Sequence, residues 1–583
     1  MLRGPDARLR LIVSLLVAVT LPIVVQLFRL QVLEHPRFVD EAEDLINREY
    51  RLPKPAWGCV RDRDGDLLVG NQPVYEVGIE VNVITDTLQT ARRLADVLGQ
   101  PVDEVHARLT LTREDKQEGV LWRRLAGEVS LETKAQLEAL DIYGLTLTPD
   151  WKRYYPEGAL AAHTLGFVNQ AGLGTGVQAY HRRFLEGRPI VKEGRVSGMA
   201  EPFPDELADD PSVPYAGTDL TLTLDRTIQA YVEGELDKAL LRYNAERGSI
   251  LVMDPRTGAI LALASRPTYE PARFPDYAAQ GEEAIFQNPA ISHAYEPGST
   301  FKVVTVAAAL DSGRVDLDWT YKDTGSLEFG GITVRNWSGA AYGEQGVEGI
   351  LVHSLNVGVA ELSTRVLGAG PFYDYVRAFG FGQPTGVDLA GEAPGVVHVS
   401  SDWDWRDSYL ATNAYGQGIA VTPLQLMTAV GAVANDGIMM QPYVVAERRY
   451  ADGRVVSIPP REVGRPISAE TAETVSALLE QAVEQKITQA QVPGYRIAGK
   501  TGTAQVPVPG EGIYDPEHVI ASFIGYGPLP DPQVLILVKL DRPAVEPNER
   551  WGSHTAAPVF KTIASRLFVL LGIPPSHPVA QQP

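Results

Sequence analysis

The alternation of apolar and polar positions divides this chain of 583 residues into three stretches. Leu11 to Phe28 is an apolar run broken only by Ser14, Thr20, Pro22 and Gln26. With its flanks, Leu9 to Leu33, it reaches the roughly 20 residues that a helix needs to cross a bilayer. From Gln31 to Pro214 short elements of both kinds alternate. A hairpin is predicted around the Asp64-Gly65 turn signal, and helical spacing covers Leu88 to Leu98 and Leu131 to Leu140. Phe203 to Pro214 is acidic and proline-rich and reads as a linker or exposed loop. Beyond it, Asp219 to Leu224 alternates as a strand and Arg226 to Leu241 repeats at the helical period. Gly248 to Asp254 and Ala259 to Ala264 are apolar strands joined by Pro255-Arg256-Thr257-Gly258. Val519 to Tyr526 and Val534 to Leu540 are two more strands, and Pro558 to Leu571 is a helix with proline at its start. Strands at both ends with helices between them predict an α/β (α+β) domain, one antiparallel sheet flanked by helices. The expected organisation is an N-terminus over 1–10, a spanning helix over 11–30, an elongated mixed domain over 31–215, a larger domain over 216–572 and a flexible tail over 573–583.

Charge refines this picture. Arg3, Arg8 and Arg10 precede the apolar run, and Glu34, Asp40, Glu41, Glu43 and Asp44 follow it. The positive-inside rule then places the N-terminus in the cytoplasm and the remainder outside, as a single-pass protein of the cytoplasmic membrane. No small-residue cleavage site follows the run, which favours an anchor over a removed signal peptide. The net charge of −21 argues against nucleic acid, which requires a basic face. Cys59 is the single cysteine, so no intramolecular disulfide or cysteine metal cluster can form. The ten histidines show no zinc-site spacing, and no metal or cofactor is expected.

The candidate chemistry lies in the larger domain. Ser299 and Lys302 stand three apart, after a Pro297-Gly298 loop and before the helical stretch Val303 to Leu310. That places the serine at a helix N-terminus with the lysine one turn on, on the same face. A serine hydroxyl needs a base, and a buried lysine with a depressed pKa can be that base. The spacing alone is common, because most such pairs are a surface serine and a solvated lysine. Two further motifs follow in order: Ser354-Leu355-Asn356 after a helical stretch from Val347, and Lys500-Thr501-Gly502-Thr503 on a strand entered from Ala498-Gly499. The three together, separated by domain-scale gaps, form a strong signal.

On these motifs the chain resembles the class B penicillin-binding proteins, peptidoglycan D,D-transpeptidases of the acyl-serine transferase superfamily. The resemblance extends along most of the sequence. Arg29-Leu30-Gln31 resembles the family's junction after the membrane helix. Gly58 to Gly65, Arg153-Tyr154-Tyr155-Pro156 and His163 to Phe167 resemble its pedestal, or dimerisation-like, domain. Val252 to Pro255, Tyr415-Gly416-Gln417-Gly418 and Thr422-Pro423-Leu424-Gln425 continue it. Leu355 and Gln178 depart from the pattern, where a small or polar residue and a glutamate are usual. His163 to Phe167, Ser522 to Gly525 and Asp541-Arg542-Pro543 resemble the division-type enzyme slightly more than the elongation type.

The resemblance implies a penicillin-binding transpeptidase fold and a role for each motif residue. Ser299 would be the nucleophile, Lys302 its base, Ser354 a proton relay toward the leaving D-alanine, and Asn356 a holder of Lys302 or of the substrate amide. Lys500, Thr501, Gly502 and Thr503 would form the substrate-carboxylate site, and the backbone N–H groups of Ser299 and Thr503 the oxyanion site. The implied partners are peptidoglycan stem peptides of lipid II-derived strands, β-lactams as covalent inhibitors, and a membrane glycosyltransferase of the SEDS class. A β-lactamase or D,D-carboxypeptidase would use the same serine with water, but the long pedestal speaks against it. A non-catalytic β-lactam sensor or wall-machinery scaffold is opposed by the presence of Lys302 and Lys500. Glu296 reads as a structural partner, Trp337 and Tyr415 as packing or cleft lining, and Pro507 to Pro516 as a lid or a surface loop.

Overall fold

The computed structural model describes residues 5–51, 55–118, 120–169, 171–187, 191–195, 216–507 and 513–576. The stretch Phe203 to Pro214, the end of the tail from residue 577, and residues 508–512 of the Pro507–Pro516 segment lie outside the described residues. The chain divides into two compact units, Met1–Ala56 with Pro73–Trp151 and Gly187–Ala216, and Trp57–Gln72 with Lys152–Glu186 and Gly217–Pro583.

The first unit begins with the apolar helix Pro5–Phe28, which continues as a π-helical turn, Arg29–Leu33. Leu9–Leu33 has a mean hydropathy of 2.6 and none of it is buried, so it is long and apolar enough to cross a membrane. The same unit holds a small core in which Val77, Ile79 and Leu125 from strands pack on Ala91, Leu94 and Val105 from helices. The helix predicted at Leu88–Leu98 is Thr87–Leu98; Asp86 caps it by accepting from the Gln89 N–H at 2.9 Å, and Gly99 ends it at φ +63°.

The second unit is built on five antiparallel strands: β1 (Arg247–Met253), β2 (Ile260–Arg266), β3 (Ala498–Pro507), β4 (Tyr514–Gly527) and β5 (Val534–Asp541), in the order β3–β4–β5–β1–β2. Both ends of the chain segment thus meet in one sheet, as the strand pattern predicted. Alternate residues of β5 serve different cores. Leu535 and Leu537 pack with helices α2 (Lys302–Asp311), α3 (Pro423–Ala434) and α4 (Ala469–Gln485). Ile536, Val538 and Leu540 pack with α1 (Arg226–Tyr243) and α5 (Ala556–Leu570) on the other face. Because both faces are covered there, the inner strands β1 and β5 read as near-continuous apolar runs. Thr422 and Gln425 form a capping box at α3, each side chain accepting from the other's backbone N–H, at 3.1 and 2.9 Å.

A single cut at 215/216 does not separate the units, because Trp57–Gln72 and Lys152–Glu186 group with the larger one. The reason is strand pairing: Val60 and Arg61 pair in parallel with Leu220 and Thr221, and Val60, Leu68, Val177 and Leu185 share a core with Leu220 and Leu222. The tail also begins later than residue 573, since Ile573 is buried and its carbonyl accepts from the Tyr495 hydroxyl at 2.9 Å.

Candidate active site

Ser299 lies in a 3₁₀ turn, Gly298–Phe301, that runs directly into α2. The turn packs at glycines, against Gly502 of β3 on one side and Gly416 on another. A Cβ at Gly502 would collide with Ser522 Oγ and crowd the Pro297 carbonyl, and one at Gly416 would collide with the Gly298 carbonyl. Close approach of the Ser299 turn to the Lys500-Thr501-Gly502-Thr503 strand therefore demands the glycine of that motif. β3 is the edge strand of the sheet. Its alternate residues Thr501, Thr503 and Gln505 line a cleft of about 870 Å³ with Ser299, Ser354 and Asn356.

Behind the cleft wall the two lysines meet at one hydroxyl. Lys302 Nζ donates to the Ser354 carbonyl at 2.6 Å and lies 3.2 Å from Ser354 Oγ. Lys500 Nζ lies 3.0 Å from the same Oγ and 3.3 Å from the Thr501 carbonyl. Ser354 adopts φ +56°, a left-handed conformation that costs a non-glycine residue about 1 kcal/mol or more. This conformation turns both its carbonyl and its hydroxyl toward the lysines. Lys302 and Lys500 are 0% and 1% exposed. Burial pushes the Lys302 amine well below its ordinary range, and the nearby charge of Lys500 pushes it further. Burial lowers Lys500 to about 7. Both effects on Lys302 favour its neutral amine, and Lys500 is near its midpoint at pH 7.

The structure brings Ser299, Lys302, Ser354, Asn356, Lys500, Thr501, Gly502 and Thr503 together, with one rearrangement. Asn356 Nδ2 donates to the Arg335 carbonyl at 2.9 Å, and the lysine is held by Ser354 instead. Glu296 takes a structural place: its Oε1 accepts from the Gly418 N–H at 2.9 Å and the Tyr514 hydroxyl at 3.1 Å, and burial raises its pKa. Trp337 and Tyr415 both line the cleft. Leu355 is buried at its wall. Trp551 went unanticipated; it meets Trp337 edge-on with ring centroids 4.4 Å apart, in a loop whose Gly552 lies against Gly502 and Ser522. Arg335, His353 and Ser553 were also missed. No periodicity marks these residues, which sit in loops and four-residue strands. The buried Gln178 accepts from the half-buried Arg153 Nε at 2.8 Å, a neutral partner that keeps the contact without burying a second charge.

Comparison with known proteins agrees with this geometry. Residues 248–565 match the model of the penicillin binding protein transpeptidase domain, and residues 53–188 that of the penicillin-binding protein dimerisation domain. Stage V sporulation protein D of Bacillus subtilis is 34% identical over 529 residues, covering 90% of this chain and 79% of that protein. Peptidoglycan D,D-transpeptidase FtsI of Escherichia coli is 28% identical over 558 residues, covering 94% and 89%. Among solved structures, penicillin binding protein 3 of Mycobacterium tuberculosis in complex with aztreonam superposes with a TM-score of 0.67 at 28% identity, covering 91% of this chain and 99% of that one.

Proposed function

The chain belongs to the class B penicillin-binding proteins, and from that premise we propose that it cross-links peptidoglycan stem peptides as a serine-type D,D-transpeptidase, the reaction β-lactams block. The carrying observation is the buried Lys302–Ser354–Lys500 bridge beside Ser299. In this reading Ser299 Oγ attacks the penultimate carbonyl of a D-Ala-D-Ala peptide while its proton passes to neutral Lys302. The backbone N–H groups of Ser299 and Thr503 receive the oxyanion; such a donor is typically worth about 3 kcal/mol of barrier. The C–N bond then breaks, and Ser354, 3.2 Å from Lys302 Nζ, relays the proton to the departing D-alanine. Thr501, Thr503 and protonated Lys500 hold the terminal carboxylate. An amine of a neighbouring stem next attacks the acyl ester and frees Ser299.

The finer assignments belong to the same reading. The chain is anchored by its apolar helix with the N-terminus in the cytoplasm, which Arg8 and Arg10 support by their position before it. It serves septal rather than lateral wall growth and pairs with a SEDS-class glycosyltransferase through the anchor and the pedestal. Depletion should arrest septation, and cells that divide normally but lose shape would reverse the first point.

Covalent labelling by a fluorescent penicillin tests the core of the proposal. Wild-type protein should be labelled and Ser299→Ala should not. Product analysis with an acceptor amine should give the cross-linked amide, whereas hydrolysis alone would make the protein a carboxypeptidase.

A further inference from the structure

We propose that Arg335 recognises a second carboxylate of the peptidoglycan stem, distinct from the terminal one facing Lys500, Thr501 and Thr503; the inference rests on the transpeptidase reading. The chain carries 73 acidic residues and a net charge of −21, yet among the described residues lining the cleft none is aspartate or glutamate. Arg335 is exposed in that cleft, and its guanidinium makes no ion pair or hydrogen bond among the described residues. Other arginines of the same unit are paired, Arg266 with Glu233 and Asp237, and Arg496 with Glu480.

Arg335 is also held in place from two sides. Its carbonyl accepts from Asn356 Nδ2 at 2.9 Å. The next residue, Asn336, is buried, donates to both oxygens of Asp323 at 3.0 and 2.8 Å, and accepts from the Val357 N–H at 3.1 Å. Asp323 in turn accepts from the Tyr342 N–H at 2.9 Å, so its charge is spent inside the wall. Lys500 Nζ therefore meets the Ser354 end of the Ser354–Asn356 turn, and the backbone of Arg335, whose side chain lines the cleft, meets the Asn356 end. A stem peptide carries acid groups along its length as well as at its C-terminus. A guanidinium offers the paired N–H donors that fit a carboxylate. This gives the Asn356 amide a second task, to position the strand that presents Arg335.

The carboxylate can belong to the donor stem or to the acceptor, and two arms separate these. In the first, thioester donors ending in D-alanine are compared with and without a side-chain carboxylate. In the second, acyl transfer is compared between a D-amino acid and its amide. Wild-type protein should favour the acid in one arm, roughly 10- to 100-fold in kcat/KM, the range of a charge-assisted hydrogen bond. Arg335→Ala should bring that ratio close to one, and Arg335→Lys should restore part of it. The ratio is taken within each variant, so a loss of folded protein does not imitate the result. A ratio unchanged in Arg335→Ala in both arms, or no preference in wild type, overturns the proposal. Failure of wild type to be labelled by penicillin or to turn over any donor overturns the transpeptidase reading instead.

Discussion

Lys302 and Lys500 share one hydroxyl, but their pKa values are lowered for partly different reasons. Burial acts on both, while the charge of Lys500 acts in addition on Lys302. A base with a depressed pKa is active above that pKa and is lost as pH falls through it, so Lys302 in its proposed role should set an acid limb in acylation. Lys500 must carry a proton to bind a carboxylate, so kcat/KM for an anionic penicillin should fall as pH rises through about 7. In Lys500→Arg the alkaline limb should vanish, because guanidinium does not titrate there. An unchanged limb in that variant would remove Lys500 from the profile. The same burial makes Lys302 a liability to folding. The unfolded chain binds a proton that the folded chain refuses, so stability falls as pH drops below the ordinary lysine range. Lys302→Met should melt higher than wild type at pH 7 while acylation disappears. That the motif residues come together was legible because each stands in a short fixed spacing. Asn356 was legible as a member but not in its partner, since Arg335 is 21 residues away in the chain.

At the scale of elements, strands and helices with a sustained period were readable: α1, the β1–β2 hairpin, β5 and α5 lie close to where the pattern put them. The cleft wall opposite β3 was not, because its strands, Ser326–Phe329 and Ile332–Arg335, span only four residues each and no period develops. Their positions come from the buried Asp323–Asn336 pair, a contact across the sequence. The fit of the Ser299 turn on β3 is likewise a long-range property that the sequence records only as glycine. Gly502→Ala should lower the unfolding free energy by about 1–3 kcal/mol, the usual cost of overpacking. It should slow acylation more than its stability loss suggests, since a shift of about 1 Å at the reacting atoms costs on the order of 100-fold. Gly234→Ala is the contrast. It lies inside α1 with nothing within 4 Å of a new Cβ, so it should stabilise by about 0.5–1 kcal/mol. Urea unfolding with acylation kinetics on both variants checks the pair, and equal effects would mean that the packing at Gly502 is not special.

At the scale of the whole molecule, composition and hydropathy made the anchor and the acidic character legible, but a reading in chain order could not find units whose segments are interleaved. The larger unit takes two excursions, and each returns close to where it left. Asn71 and Arg153 touch at 2.8 Å across the segment 73–151, and the Thr218 N–H reaches the Phe184 carbonyl at 2.7 Å across 187–216. The early segments supply parts that the remainder lacks. The Cys59 carbonyl accepts from Leu220 N–H at 2.9 Å, Asp62 accepts from Arg226 N–H at 3.1 Å at the start of α1, and Glu233 accepts from Ala161 N–H at 2.8 Å. A fragment beginning at residue 216 would expose Leu220 and Leu222 and leave Glu233 without one of its donors. A chain of residues 57–72, 152–186 and 217–576, joined by short glycine-serine linkers at the two gaps, keeps all of these contacts. It should be soluble, melt cooperatively and be labelled at Ser299 by fluorescent penicillin, whereas the 216–576 fragment should aggregate or melt well below it. Equal melting and labelling of the two would mean that the early segments are accessory to the catalytic unit, not part of its core.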